Sequence, residues 1–247
     1  MRITVLTLFP AMIEAPLRES MLKRAIEAGV LAVETVNIRD FAEDKHKVTD
    51  DYAYGGGPGM LMKPEPLFRA VEAARRRSTE PAWVALMSPR GRLLTHKVAE
   101  ELAAKPHLVL VCGHYEGVDE RFCKHGVDDE ISIGDYVLTG GEPAALVVID
   151  AVARLLPGAL GDPTSAKDES FASGLLECPQ YTRPPDFRGL KVPDVLLGGD
   201  HQAIERWRRR QAILRTLRFR PDLLDKTDVT REEIADALKH AAEDAKE

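Results

Sequence analysis

Residues 108–112, Leu-Val-Leu-Val-Cys, form an unbroken run of apolar side chains that stops at Gly113. A run this short, with no polar position, has no wet face to offer. It predicts a strand buried on both sides, as in a parallel sheet covered by helices. A second segment, 131–138, ends at Gly140 and Gly141 before a helix-compatible run opens with Pro143. Two predicted strands therefore carry glycine at their exits. Glycine there permits a positive φ or close approach by a ligand, and ligands of open α/β sheets sit at the carboxyl ends of strands. For any one such glycine the ordinary alternative is a simple turn. Two clusters with Tyr115, Glu116 and Tyr136 between them favour a crevice. Neither GxGxxG nor GxxxxGK[ST] occurs, so the ligand need not carry phosphate.

The rest of the chain supplies the same kind of unit. Residues 3–8 read as a buried strand and 17–28 as a helix, with Leu17, Met21, Ala25 and Ala28 on one side and Gly29 placed to end it. Residues 31–38 return as a strand. The pattern repeats over 67–74, 82–87, 95–103 and 108–112, which predicts an α/β fold with a parallel sheet and helices on both faces. Met87, Ser88, Pro89, Arg90 and Gly91 make a third strand exit on the border of the same crevice. The helix predicted over 142–156 is apolar on most sides, so the sheet or a second subunit must cover it. Within it Asp150 and Arg154 stand four apart, and by spacing alone they form an intrahelical ion pair.

Residues 158–186 lose all periodicity and mark a boundary. The expected division is an α/β cofactor-binding domain at 1–160, a linker or lid at 161–178, and a small helical domain at 179–247. In the last, Asp200 is a good N-cap for a helix carrying Ile204, Trp207, Leu214 and Leu217 among Arg206, Arg208, Arg209, Arg210 and Arg215. Thr230 and Glu233 form a capping-box signature ahead of a second helix.

The net charge of −6 argues against nucleic-acid binding through the overall field, so any such contact must come from local patches. The arginine-dense helix is the strongest of these. Three cysteines without a CxxC pair suggest neither disulfides nor zinc, and a reducing cytoplasm fits. His46 near Asp50 has no second histidine at ligand spacing, so a divalent metal is possible but not indicated. The apolar run near the start meets Glu14 and Pro16 at once, which predicts a core strand and not a membrane span. Residues 39–60 are longer and more polar than ordinary connections. Lys45, His46 and Lys47 suit phosphates, Asp50 and Asp51 suit hydrogen bonds from a base, and 55–59 would let a flat ring lie against backbone. A solvated loop with a glycine hinge is the plainer reading of those residues.

At this point the motifs resemble a family. CGHYEGVDER and SIGDYVLTGGEPA are similar to the most specific motifs of the bacterial tRNA (guanine-N1)-methyltransferases, which belong to the SPOUT class of S-adenosylmethionine-dependent enzymes. TLFP at 7–10, YGGGPGMLM at 54–62, SPRG at 88–91 and GLLECPQYTRP at 174–184 extend the resemblance over nearly the whole chain. It implies a deep trefoil knot, a homodimer with shared active sites, and methylation of tRNA at the guanosine 3′ of the anticodon, position 37. It implies S-adenosylmethionine held by Met87, Ser88, Pro89, Gly113, Tyr115, Glu116, Ile133, Gly134, Asp135, Tyr136, Val137, Leu138, Gly140, Gly141 and Pro143. For the RNA it implies His46, Asp50, Gly59, Arg183, Arg206, Arg209 and Arg210. For the chemistry it implies Arg154 at the target guanine and a general base at Glu169. The family has aspartate there, so the base is Glu169 with one more methylene of reach, or Asp168 after a slip of one residue. Two rivals stand beside this reading: a SPOUT methyltransferase with another RNA target, and a non-enzymatic nucleic-acid-binding regulator with a ligand-sensing α/β domain.

Overall fold

The computed structural model describes residues 1–160 and 169–244, with side chains through residue 241. The chain opens with β1 (Arg2–Thr7), whose last five residues are all buried. Pro10 then starts α1 (Pro10–Leu17), where its missing N–H costs nothing, and Pro16 lies in the last turn. Arg18 N and Glu19 N bond back to the carbonyls of Ala15 and Pro16, and Ser20 takes a φ of +51° before α2 (Ser20–Glu27) begins. The helix expected over 17–28 is thus α2 alone, starting at Ser20, while Leu17 closes a separate helix upstream. Pro16 cannot donate to the carbonyl four residues back, and the chain turns just beyond it. Gly29, at φ +71°, ends α2 and leads into β2 (Ala32–Asn37).

A 3₁₀ turn at Ile38–Phe41 follows, and the long polar stretch contains only β3 (Asp50–Asp51), antiparallel to β4 (Leu61–Met62). Next come α3 (Pro64–Arg76), β5 (Ala82–Leu93), α4 (His96–Ala103) capped by the Thr95 hydroxyl, β6 (His107–Cys112), α5 (Glu120–His125), β7 (Asp129–Ser132) and α6 (Glu142–Leu155). The main sheet is parallel throughout, in the order β2-β1-β6-β5-β7.

Every residue of β6 is buried. Leu108, Leu110 and Cys112 pack with α1, α2, α4 and α6 on one face, while Val109 and Val111 pack with α3, α5 and Ile38 on the other. Period-two alternation thus feeds two separate cores from one apolar run.

Two strand expectations change. Strand β5 does not stop at Met87 but resumes to Leu93, with Met87 and Arg92 both paired to Ile131, so 88–91 bulge out of the sheet. Strand β7 ends at Ser132 and not at Leu138, because Gly134 at φ +154° and bonds between the Ser132 hydroxyl and the Gly134 backbone fold the chain out of the ladder.

The chain divides into two compact units, Met1–Pro163 and Thr164–Glu247. In the second, the segment from Glu169 lies along the first of its helices: Leu176 N donates to the Thr216 hydroxyl at 2.9 Å and Leu175 enters the core. A hairpin of β8 (Asp186–Phe187) and β9 (Leu190–Lys191) lies in a largely irregular segment that precedes α7 (His201–Phe219) and α8 (Arg231–Asp244). Asp200 caps α7 through Gln202 N and Ala203 N, and Thr230 and Glu233 exchange the two bonds of a capping box at 2.8 and 3.2 Å. A small core of Leu175, Ile213 and Ala237 holds the helices together. Among the described residues no helix is long and apolar enough to cross a membrane.

Candidate active site

The bulge of β5 at 88–91, the carboxyl ends of β6 and β7 and the first turn of α6 enclose a crevice of about 260 Å³. Its frame is backbone. Gly141 N donates to Gly113 O at 2.8 Å, and His114 and Gly140 form an antiparallel bridge. The start of α6 is therefore laid directly on the exit of β6. A Cβ on Gly141 would stand 2.7 Å from Cys112 Cα and 3.0 Å from Gly113 N, closer than side-chain carbons come to backbone, so only glycine permits this approach.

A second set of bonds ties the loop after β6 to the glycine-rich stretch. Glu116 N reaches Met60 O at 3.0 Å, Met62 N reaches Gly117 O at 2.9 Å, and Asp119 N reaches Met62 O at 3.1 Å. His114 N also bonds to Met62 Sδ at 3.2 Å. Tyr115 sits at φ +59°, the left-handed region disfavoured for bulky residues, and these bonds hold it there. Gly59 lies against the Glu116 side chain.

Of the residues expected to hold a cofactor, all line the crevice except Asp135 and Pro143. Asp135 is exposed beyond the turn at Gly134, and Pro143 is exposed on the first turn of α6. Arg90, expected on the crevice border but not among the cofactor ligands, lines it too, as do His114 and Ser132, which were not singled out for the cofactor. Each stands inside a quoted motif, which was the available signal. Ser132 and Tyr136 stabilise the loop after β7, the latter by donating its hydroxyl to Ile133 O at 3.0 Å.

Arg90 is bound to Glu130 at 2.9 Å and Glu120 at 3.0 Å, and these bonds raise its pKa above the ordinary guanidinium value. Among the described residues the one cation lining the crevice is therefore already matched by two carboxylates, while Glu116 lines it as well. Such a site suits a ligand with a positive centre and poorly suits a pyrophosphate. Burial pushes the thiols of Cys112 and Cys123 up, so neither is a thiolate nucleophile. Among the described residues no three His, Cys, Asp or Glu side chains cluster as a metal site.

The other expected residues of the first unit lie apart from the crevice or on its rim. Asp50 pairs with Met62 across β3 and β4, and Met62 bridges to Val118, so this acidic strand is joined to the rim. His46 is exposed in a turn organised by Asp44, which accepts from His46 N and Val48 N, each at 2.9 Å. Arg154 is ten residues beyond Ala144, which lines the crevice from α6, so it lies roughly 15 Å along the helix axis from it at 1.5 Å per residue. In the second unit Glu169 is half-buried, while Arg183 and Arg206 are exposed. Arg209 pairs with Glu233 at 3.1 Å and Arg210 with Asp236 at 3.9 Å. Asp168 lies outside the described residues.

Residues 1–226 match the family model described as tRNA (Guanine-1)-methyltransferase TrmD. The chain is 61% identical over 224 residues to the tRNA (guanine-N(1)-)-methyltransferase of Geotalea uraniireducens, covering 91% of this chain and 90% of that one. Against the proteins of the same name from Halalkalibacterium halodurans and Dictyoglomus turgidum, identity is 57% over 233 residues and 55% over 234 residues. The shares covered are 94% and 95% of this chain and 95% and 94% of theirs.

Proposed function

This chain belongs to the tRNA (guanine-1)-methyltransferase family, and from that premise we infer that it methylates N1 of the guanosine 3′ of the anticodon, position 37, in tRNA. S-adenosylmethionine supplies the methyl group. The observation that carries the cofactor assignment is the crevice: two parallel strand ends and the bulge of a third strand, a helix start admitted only by Gly141, and an Arg90 already bound by Glu130 and Glu120 in a lining that also holds Glu116. Backbone at Met87, Gly113, Ile133, Tyr136 and Leu138 would read the adenine. Tyr115 and Glu116 would stand near the transferred group.

Guanine N1 carries hydrogen at neutral pH and has no free in-plane lone pair, so a base must remove that proton. We assign the base to Glu169. Carboxylates as a class are far weaker bases than the guanine anion, and each pKa unit of mismatch costs about 1.4 kcal/mol. Arg154 offsets this by stabilising the charge that moves onto O6, as an oxyanion hole does. Its place roughly 15 Å along α6 from this chain's own crevice supports a homodimer in which one protomer's Arg154 serves its partner's site. The apolar Met12 and Val147, left exposed in a single chain, support the same reading. We further assign a trefoil knot to the α/β domain 1–160, a lid to 161–178, tRNA binding to 179–247, and a cytoplasmic setting. Contacts to the RNA are assigned to His46, Asp50, Gly59, Arg183, Arg206, Arg209 and Arg210. Mass spectrometry of tRNA digested after incubation with protein and S-adenosylmethionine tests the function. 1-Methylguanosine at position 37 is expected, and a tRNA left unmodified there would overturn it.

A further inference from the structure

The hairpin of the second unit exposes what folding would ordinarily hide. Phe187 and Leu190 face each other across β8 and β9, and they are 55% and 74% exposed. Arg188 and Gly189 turn the chain with φ of +57° and +80°, the signs of a tight type I′ hairpin, and Asp186 Oδ1 locks the tip by accepting from Gly189 N at 2.9 Å. All residues of 181–191 are exposed, so the unit's core of Leu175, Ile213 and Ala237 gains nothing from either side chain. The Arg188 guanidinium lies 5.1 Å from the Phe187 ring centroid.

The sequence around this tip is basic in balance. Residues 181–220 hold ten Lys and Arg against four Asp and Glu, a net +6 within a chain of net −6. On the hairpin segment Arg183, Arg188 and Lys191 make no ion pair among the described residues. An apolar protein surface would meet three cations against the single carboxylate of Asp186 on the hairpin, at cost. A single-stranded nucleic acid offers phosphates to the cations and an aromatic face to the ring, whereas a duplex keeps its base faces stacked inside.

We propose that the β8–β9 hairpin is a nucleobase-stacking element, with Phe187, backed by Arg188, taking the face of an unpaired base in the tRNA substrate. This rests on tRNA being the substrate and adds a positioning residue outside the residues assigned to chemistry or to the cofactor.

The test compares the full chain with Phe187→Ala, Phe187→Leu and Phe187→Tyr, using an unmodified tRNA transcript. Transcript affinity, N1 methylation, S-adenosylmethionine affinity and mass in solution are measured for each. Ala and Leu should weaken transcript binding about tenfold while Tyr holds it, because stacking needs the ring and not merely apolar volume. Cofactor affinity and mass should not move. The salt dependence of binding should keep its slope in the Phe187 variants and lose about one unit in Arg188→Gln. Native affinity in Phe187→Ala, or in Phe187→Leu, overturns the proposal. A changed mass overturns it too, since the hairpin would then be packing on a second copy. An unvaried chain that binds the transcript but leaves guanine N1 unmethylated defeats the functional reading instead, while the hairpin is still judged by binding.

Discussion

Thr7 Oγ1 donates a 2.6 Å hydrogen bond to Glu142 Oε1 across 135 positions of sequence, and both residues are buried. The same hydroxyl oxygen accepts from Phe9 N at 2.8 Å. One side chain thus joins the end of β1, the start of α1 and the first turn of α6, where a carboxylate is also favoured by the helix dipole. Two of the motifs, TLFP and GGEP, meet at this bond.

Thr7→Val keeps the shape and removes the donor, leaving a buried carboxylate oxygen without its partner. The expected loss is about 1–3 kcal/mol of unfolding free energy. Thr7→Ser should keep most of it. Urea denaturation of the three proteins decides the point, and a Val variant as stable as the native chain would show that the bond contributes nothing.

Gly141→Ala drives a methyl group into the backbone of Cys112 and Gly113. The start of α6 must then lift off β6, opening the crevice wall. Calorimetry should find S-adenosylmethionine bound at least about tenfold more weakly, since misplacement by about 1 Å is enough to lose a preorganised site. Unchanged affinity would mean that the close approach is incidental.

Glu169→Gln and Arg154→Ala should each lower single-turnover methyl transfer by about a hundredfold or more, with cofactor affinity nearly unchanged. Glu169→Asp should retain substantial activity. If Glu169→Gln turns over normally and Asp168→Asn does not, the base is Asp168.

Light scattering should give about twice the 27.3 kDa chain mass. A fully active monomer at micromolar concentration would exclude sharing of Arg154 between protomers.

His107 is buried at the foot of β6, and burial lowers its pKa, with Arg2 adding to the effect and Glu34 opposing it. Thr4 donates its hydroxyl proton to Glu34 Oε1 at 2.9 Å, so its 2.9 Å contact with His107 Nε2 requires the ring to be the donor there. That leaves Nδ1 as the bare acceptor, with no partner among the described residues. Protonation would place a second N–H where nothing accepts it, so the unfolded chain binds this proton more readily. Stability from this site is complete above the unfolded value near 6.5 and is lost as pH falls through it toward the folded one. The loss cannot exceed about 1.4 kcal/mol per pH unit for one group. Melting temperature should therefore drop between pH 7 and pH 5.5, and by less in His107→Gln. Parallel curves for the two proteins would remove His107 as the cause.

Particular residues show why some of this was readable beforehand. Residues 108–112 are apolar at every position, and only a strand covered on both faces can use such a run. Asp200, Thr230 and Glu233 cap their helices through bonds that span two or three residues, so spacing exposes them. The break between Leu17 and Ser20 was hidden because Leu17, Met21 and Ala25 keep helical spacing across it. The bulge at 88–91 was hidden because its cause, the pairing of both Met87 and Arg92 with Ile131, lies on another strand. Thr7 with Glu142, and Arg90 with Glu120 and Glu130, are distant polar pairs that leave no periodic trace. Family resemblance located most of the crevice, while the physics of its frame required coordinates.

The sheet order has a consequence for biosynthesis. Strand β6 lies between β1 and β5 but is translated after both. At a ribosomal rate of about 5–20 residues per second, β1 waits on the order of 5–20 s for its inner neighbour. Until then two apolar strand edges stand open, a hazard for association with other nascent chains. The crevice closes later still, when α6 settles on Gly113 and Glu142 finds Thr7. Fragments ending before residue 142 should bind no methyl donor, and in the intact chain that ligand holds the native fold against reopening in proportion to its affinity.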